Sequence, residues 1–458
     1  DVEFTFEQNN PYRIDGFGIN TTNEASESDV PLFSSTTQIK PQKPGKKPSQ
    51  AEISAKADEI AKAYEDMGWF SGVILIAEGG KPFYQKAFGY ADIENKIPNT
   101  INTKFRIGSI NKTYTDILLL QLMEKGKLSL DDKLSQYLGG FPKETSEKVT
   151  IKHLMTHTAG FGDIFIPKYI NNIRDYKSID DILPLLRDEP LQYQPGTDQR
   201  YSNYGYIVLG AILEKITGKS FASLLEENIF QVLGHTNTHC EIAENIEGEA
   251  KSYRFTLSGK KVDHTPKLEY PTPDGGMYST AKELYEFMQS IFYDERLITN
   301  DSKLLKTFDY EPKKGYTWEK VLESPNAAIG DAGGGPGVNT VVEMLLKDNF
   351  TVMVLANTDG GIAEEIGIKL FRFYRGKNIE APKLPAANFV YQQIEQNGID
   401  NVKANFKKIL QDNGYGRPDP MILNRIGYAL MNEDQLEMAI AVFHANVDLF
   451  PKEANPYD

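Results

Sequence analysis

Cysteine is almost absent from this chain of 458 residues, in which Cys240 is the single example. One thiol cannot form a disulfide bond within the chain, and it cannot supply the several thiolates of a cysteine-based metal site. Long apolar runs are absent as well, since none approaches the roughly 20 residues of a membrane-spanning helix. The sequence therefore excludes a disulfide scaffold and a cysteine metal centre, and it predicts no membrane span.

Basic residues are too few to balance the acidic ones. Lys and Arg together number 50, whereas Asp and Glu number 64, which gives a net charge of −14 at pH 7. This charge argues against nucleic acid or an anionic membrane as the main partner, because like charges repel. The same surface tolerates or attracts a cationic substrate.

A Ser-x-x-Lys motif at residues 109–112 is the feature of the sequence that points most directly to chemistry. Residues three apart share a face of a helix, so the Lys112 amine can reach the Ser109 hydroxyl. A lysine that is desolvated in a pocket loses affinity for its proton and becomes a usable base. The apolar pattern of residues 113–125 predicts a helix, which places Ser109 near the positive end of its dipole. The motif therefore predicts a nucleophile and its base.

A Tyr-Ser-Asn motif at residues 201–203 distinguishes Ser109 from two other Ser-x-x-Lys strings, at residues 258–261 and 279–282. The contexts of those two strings predict a hairpin turn and a helix N-cap. The Tyr-Ser-Asn motif follows a Pro-Gly pair and precedes a helical run, so it predicts a loop that presents a phenol and an amide. Tyr201 would relay a proton there, and Asn203 would orient a substrate carbonyl.

A glycine-rich stretch at residues 333–337 completes the pattern, because it precedes two apolar runs that predict a β-hairpin. Glycine at such a place lets the backbone lie close to a ligand. In this order the three motifs resemble those of the serine β-lactamase and penicillin-binding-protein superfamily. The Tyr-Ser-Asn variant is similar to that of class C β-lactamases and their esterase and D-aminopeptidase relatives. The resemblance extends from about residue 51 to about residue 377.

The resemblance implies a role for each of these residues. Ser109, Lys112 and Tyr201 would be catalytic, with acylation of the Ser109 hydroxyl followed by attack of water or another acceptor on the acyl-enzyme. The backbone N–H groups of Ser109 and Gly334 would form the oxyanion hole. Substrate-binding roles fall to three further residues, Asn203, Asp331 and Gly333.

No cofactor is expected for this chemistry, and no metal ion. His153 and His157 are four residues apart, but they lack the Glu of a zinc-binding His-Glu-x-x-His motif. The string at residues 154–160 is similar to a turn of the same superfamily. We therefore expect these two histidines to be structural.

Asp331 departs from the family pattern, in which the third motif is Lys-Thr-Gly or His-x-Gly. An anion stands here where a cation would meet a substrate carboxylate, and charges in a half-buried cleft attract or repel by about 1–4 kcal/mol. The departure argues against recognition of a penicillin or of a free D-Ala carboxylate. Asp331 would instead face a substrate amine, or hydrogen-bond locally while a neutral ester is cleaved. The remaining alternative is a turn residue before a glycine-rich strand.

The chain is too long for one ordinary domain, and its composition divides it into three segments. Residues 1–50 form an aromatic-containing start and a flexible linker rich in Ser, Thr, Pro and Lys. Residues 51–377 form the hydrolase domain, for which the resemblance implies an α/β lobe with an antiparallel sheet flanked by helices, beside a helical lobe. Residues 378–458 form a small all-α segment, in which spaced residues from Gly427 to Pro451 match a tetratricopeptide repeat. The alternative for this segment is a helical hairpin that caps the hydrolase domain.

Two classes of function remain open. The first is a serine hydrolase that forms an acyl-enzyme on Ser109 and cleaves an ester or a D-aminoacyl amide, with a β-lactamase or DD-peptidase as the alternative within the class. The second is a catalytically weak protein that binds through the cleft and the helical repeat. We expect a small-molecule or peptidoglycan-like substrate, and a protein partner at the C-terminal segment. The resemblance also predicts an exported protein, periplasmic or extracellular, and the lack of Met at position 1 agrees with a removed leader.

Overall fold

The computed structural model describes residues 47–240, 246–311 and 314–452, so most of the predicted N-terminal segment lies outside the described residues. Within those ranges, no helix has both the length and the apolar composition that crossing a membrane requires. The strands are β1 (Gly72–Glu78), β2 (Lys81–Phe88), β3 (Tyr90–Asp92), β4 (Ile97–Pro98), β5 (Phe105–Arg106), β6 (Tyr253–Phe255), β7 (Lys261–Asp263), β8 (Tyr278–Ser279), β9 (Ala328–Gly335), β10 (Val338–Leu345) and β11 (Phe350–Ala356). The helices are α1 (Gln50–Asp66), α2 (Asn111–Glu124), α3 (Lys143–Ser146), α4 (Ile151–Met155), α5 (Pro167–Ile170), α6 (Ile179–Ile182), α7 (Asn203–Thr217), α8 (Phe221–Leu225), α9 (Gln231–Leu233), α10 (Ala281–Tyr293), α11 (Asn300–Thr307), α12 (Trp318–Glu323), α13 (Ile362–Tyr374), α14 (Ala386–Asn397), α15 (Ile399–Asp412), α16 (Pro420–Asn432) and α17 (Leu436–Leu449).

The largest sheet is antiparallel and has the strand order β2-β1-β11-β10-β9. It contains the hairpin predicted after the glycine-rich stretch and a second hairpin, which the alternating apolar residues of 72–77 and 82–88 predict. The two hairpins meet because β1 pairs with β11. Successive side chains of β1 enter opposite cores: Val73 and Leu75 on one face, Ile74 and Ile76 on the other. A strand buried on both faces belongs in the middle of a layered fold. The predicted α/β fold with an antiparallel sheet flanked by helices is confirmed.

Helices cover both faces of this sheet. On one face, α1 and α13 pack together, and α13 contacts β10 and β11. On the other face, α10 contacts β1 and β11, and its core continues into the helical lobe that contains α2 and α7. Helix α1 begins at Gln50, because the Ser49 hydroxyl accepts the Glu52 N–H and the Glu52 carboxylate accepts the Ser49 N–H.

Residues 333–335 of the glycine-rich stretch belong to strand β9, which begins at Ala328 and therefore includes Asp331, and residues 336–337 form the turn into β10. Asp331 pairs with Val342 of β10 in the ladder, so the alternative that Asp331 is a turn residue is wrong. The hairpin turn predicted at residues 258–261 lies between β6 and β7, which pair with each other. Strand β5 pairs with β8, which lies far along the chain.

The C-terminal region is helical, as predicted. Helix α16 packs against α17, and both contact the preceding pair α14 and α15 around a third apolar core. Gly427 of α16 lies so close to the Phe443 ring that a Cβ atom at Gly427 would stand 2.4 Å from the nearest ring carbon. This small-against-large contact agrees with the spacing that suggested a tetratricopeptide repeat, and the repeat assignment stays a prediction.

Candidate active site

Ser109 lies in a 3-10 turn, Gly108–Ile110, that leads directly into helix α2. Gly108 has a φ of +53°, in the region that favours glycine. A Cβ atom at Gly108 would stand 2.8 Å from the backbone nitrogen of Gly334. Glycine is therefore required for both the conformation and the close approach of strand β9, and the turn presents the Ser109 hydroxyl at the start of the helix.

The Lys112 amine contacts oxygen atoms of Ser109, Asn203 and Asp274. Its Nζ atom lies 3.2 Å from Ser109 Oγ, 2.7 Å from Asn203 Oδ1 and 2.6 Å from the backbone oxygen of Asp274. The Lys112 side chain is buried, so these contacts replace hydration that the amine would otherwise have. The predicted nucleophile and base are adjacent in the structure.

Tyr201 contacts Ser109 from the opposite side of the cleft. Its hydroxyl donates to Ser109 Oγ at 2.7 Å, and Lys112 Nζ lies 4.8 Å from the centre of its ring. The His157 ring stacks on Tyr201 at 4.5 Å between centroids, and His157 Nδ1 accepts the backbone N–H of Ser202. His157 has a φ of +56°, rare for a residue with a side chain, so the turn around it is built to hold the Tyr-Ser-Asn loop.

Asn203 is completely buried at the first residue of α7. Its Oδ1 atom accepts from Lys112, while its backbone N–H and its Nδ2 group both donate to Asp163 Oδ2, at 2.9 and 2.7 Å. Asp163 therefore determines which end of the Asn203 amide faces Lys112, because a carboxylate only accepts. The Asn203 side chain thus contacts Lys112 and Asp163, and its predicted contact with a substrate carbonyl stays a prediction.

The backbone of β9 lies directly against the turn that contains Ser109. A Cβ atom at Gly333 would stand 2.0 Å from the carbonyl oxygen of Ile107 and 2.8 Å from the backbone nitrogen of Ser109. A side chain at residue 333 would thus push the strand away from the nucleophile. Because Gly333 has no side chain, strand β9 can lie against this turn. The backbone of Gly334 is then beside that of Ser109, as the predicted oxyanion hole requires.

Asp331 is buried against helix α2, with its side chain in contact with Thr113. The Thr113 hydroxyl donates to Asp331 Oδ2 at 2.7 Å. Of the two predicted roles for Asp331, the local hydrogen bond is the contact present in the structure, and contact with a substrate amine stays a prediction. Burial raises the pKa of Asp331 to about 7, although the bond from Thr113 and the nearby Lys306 ammonium oppose the increase.

Asp331 is expected to make stability depend on pH. Because its pKa when folded lies above the ordinary 3.8, the folded protein binds this proton more tightly than the unfolded chain, and the free energy of unfolding falls as pH rises from 3.8 towards about 7. Asp331→Asn has no proton to lose, so its free energy of unfolding does not fall in this pH range, and its amide oxygen still accepts from Thr113. We expect the free energy of unfolding of the variant, relative to that of the native protein, to increase by about 2–3 kcal/mol from pH 5 to pH 8. Urea unfolding of both proteins at pH 5 and at pH 8 measures this increase. The prediction is contradicted if the unfolding free energies of the two proteins differ by the same amount at both pH values.

Three residues that the sequence motifs did not single out take part in the site. Asp163 orients Asn203, His157 supports Tyr201, and the Asp274 carbonyl accepts from Lys112. In the sequence, Asp163 and His157 are indicated only by their position in or just after the family-like string at residues 154–160. Asp274 gives no signal, because a backbone carbonyl is the same in every residue.

A serine hydroxyl between a buried amine and a phenol, in a turn packed against a strand of the central sheet, is the arrangement expected of a serine hydrolase. A family model described as Beta-lactamase matches residues 57–373, and the chain belongs to this family. The superfamily resemblance and the assignment as a serine hydrolase are confirmed.

Similar proteins come from several bacteria. The chain is 29% identical over 336 residues to penicillin-binding protein 4* of Bacillus subtilis (strain 168), which covers 66% of this chain and 72% of that protein. It is 31% identical over 234 residues to a teichoic acid D-alanine hydrolase of Staphylococcus aureus, which covers 50% of this chain and 56% of that protein. The crystal structure of a penicillin binding protein from Bacillus halodurans superposes with a TM-score of 0.59 at 27% identity, covering 69% of this chain and 98% of that one.

Proposed function

We propose that this serine hydrolase forms an acyl-enzyme on Ser109 and cleaves an ester or a D-aminoacyl amide. The observation that carries the proposal is the position of Ser109 Oγ, which has Lys112 Nζ at 3.2 Å and the Tyr201 hydroxyl at 2.7 Å. A hydroxyl is a weak nucleophile unless a neighbouring group takes its proton, and both neighbours are within reach of that transfer.

The reaction has two halves. Ser109 Oγ attacks the substrate carbonyl carbon while its proton passes to Lys112 or Tyr201, and the carbonyl oxygen becomes an oxyanion beside the N–H groups of Ser109 and Gly334. The bond to the leaving alkoxide or amine breaks as that group takes the proton. Water then attacks the acyl carbon and loses a proton to the same side chains, which releases the carboxylic acid and restores the Ser109 hydroxyl.

The substrate class follows from charge. Asp331 stands at the third motif in place of a cation, so the motif offers no positive side chain to a substrate carboxylate. A D-aminoacyl ester carries an ammonium and no free carboxylate, and the net charge of −14 favours such a substrate over an anionic one. Similarity to a teichoic acid D-alanine hydrolase supports the same class.

A β-lactamase or DD-peptidase activity is the second candidate, because the chain is similar to a penicillin-binding protein over more of its length than to the teichoic acid D-alanine hydrolase. These relatives also support an exported, periplasmic or extracellular location. A peptidoglycan-like substrate belongs to this candidate. The predicted protein partner at the C-terminal helices is kept as part of the proposal, and it would bind apart from the cleft.

Trapping of the acyl-enzyme tests the proposal. The native protein is incubated with a fluorophosphonate probe, a D-alanyl ester, a D-aminoacyl amide and benzylpenicillin in turn, and its mass is measured after rapid acid quench. We expect an adduct on the peptide that contains Ser109, with faster turnover of the ester or amide than of the penicillin. Rapid turnover of penicillin would instead support the second candidate. No adduct with any reagent would overturn the acyl-enzyme mechanism and favour the binding hypothesis.

A further inference from the structure

The loop at residues 272–277 supplies one of the contacts that hold the catalytic amine. The backbone oxygen of Asp274 accepts from Lys112 Nζ at 2.6 Å, the shortest of the three contacts of that amine given above. A backbone carbonyl is positioned by whatever holds its loop. The orientation of Lys112 therefore depends on residues that fix this loop against helix α2.

Asn111 fixes the loop from both ends. Its Nδ2 group donates to the carbonyl oxygens of Thr272 and Pro273, at 3.0 and 3.3 Å, and its Oδ1 atom accepts the backbone N–H of Met277 at 3.1 Å. The Asn111 side chain is completely buried, so these bonds are shielded from competing water. The Asn111 amide thus ties the chain on both sides of Asp274 to helix α2, at the position directly before Lys112.

Further hydrogen bonds make the same loop stiff. Thr115, one helical turn after Asn111, donates from its hydroxyl to the carbonyl oxygen of Pro273 at 2.7 Å. Within the loop, the Thr272 hydroxyl donates to Asp274 Oδ1 at 2.8 Å. The loop is therefore attached to one face of α2 by Asn111 and Thr115, and the Asp274 carbonyl points from it towards Lys112.

We propose that Asn111 is the positioning residue of the catalytic amine, acting through the Asp274 carbonyl. The proposal rests on the proposed function for the role of Lys112. Two acceptors, Asp274 O and Asn203 Oδ1, take N–H groups of the amine and so turn its nitrogen towards Ser109 Oγ. When Asn111 is removed, the loop relaxes, one acceptor moves away, and the amine no longer points steadily at the hydroxyl.

The test compares Asn111→Ala with Asn357→Ala. Asn357 is a matched control, because it is also buried and its Nδ2 also donates to two backbone carbonyls, those of Tyr90 and Lys251. We expect both variants to lower the unfolding midpoint. Only Asn111→Ala should lower kcat/KM, by about 10–100-fold through kcat, with little change in KM.

The titration of the Lys112 amine is followed by NMR of ¹⁵N-labelled lysine, a readout that does not require turnover. Loss of an acceptor disfavours the ammonium, so in Asn111→Ala the titration and the acid limb of kcat/KM should both move to lower pH. Asn357→Ala should leave both unchanged. Equal effects of the two variants on activity and titration would overturn the proposal and leave Asn111 with a purely structural role.

A second variant and the amine titration allow the role of Asn111 to be tested independently of the proposed function. If Asn111→Ala does not fold, Thr115→Val removes only the hydrogen bond to the Pro273 carbonyl, and it should shift the Lys112 titration in the same direction by a smaller amount. An unshifted titration in a folded Thr115→Val protein would then count against the proposal. Failure of the native protein to form an acyl-enzyme would refute the proposed function, whereas the amine titration would still decide whether Asn111 positions Lys112.

Discussion

Ser109→Ala is expected to lower kcat/KM for the preferred ester or amide by about 10⁴-fold or more, which corresponds to about 5.5 kcal/mol of lost transition-state stabilisation. The reason is that Ser109 Oγ is the atom on which the Lys112 amine and the Tyr201 hydroxyl converge. Removal of one oxygen leaves the cleft and its backbone donors in place. Substrate binding should therefore persist while turnover is lost.

Ser258→Ala provides the matched control, since Ser258 begins another Ser-x-x-Lys string but is exposed in a loop. Its activity should stay within about twofold of the native value, as expected for a surface position away from the site. Hydrolysis of a chromogenic ester and labelling by the fluorophosphonate probe measure both variants. Retention of labelling at an unchanged rate in Ser109→Ala would show that the nucleophile lies elsewhere.

Lys112→Met is expected to lower kcat/KM by about 10²–10⁴-fold, the range associated with loss of a general base. Methionine keeps the length of the side chain but cannot accept the Ser109 proton. It also leaves Asn203 Oδ1 and the Asp274 carbonyl without the donor that they share. The variant should lose the acid limb of the native pH profile, because the group that titrates there is gone.

Lys261→Met is the corresponding control, because Lys261 ends the string that begins at Ser258. A pH profile of kcat/KM for the native protein and both lysine variants measures the effect, with thermal unfolding to establish that each is folded. If Lys112→Met kept the native profile and more than about a tenth of the activity, Tyr201 alone would have to manage the Ser109 proton.

Local patterns in the sequence predicted the main elements of the fold. The apolar alternation of residues 72–77 and 82–88 and the two runs around residues 347–349 indicated the two hairpins that now form strands of one sheet. Pairing of β1 with β11 was not visible, because it joins residues 274 to 284 positions apart through backbone groups. The full extent of strand β9 was not visible either, because glycine weakens the side-chain pattern by which a strand is recognised.

The candidate site divides in a similar way. The contact between Ser109 and Lys112 is a property of one helical turn, so their spacing was sufficient to predict it. Tyr201 and Asn203 were predicted from the loop context of their motif and from the family resemblance, and the structure places both beside Lys112. Asp331 was recognised as unusual, but its burial against Thr113 depends on how β9 packs on α2, which no local pattern encodes.

By itself, the sequence indicated the superfamily and the alternation that builds the sheet, and it predicted Ser109 as the nucleophile and Lys112 as its base, because each of these depends on residues near one another in the chain. Only the tertiary structure decided what holds the Lys112 amine in place. Asp163 orients Asn203, and Asn111 secures the loop whose Asp274 carbonyl binds Lys112. These bonds join segments far apart in the sequence, and several use backbone atoms that every residue shares, so they exist only once the chain has packed.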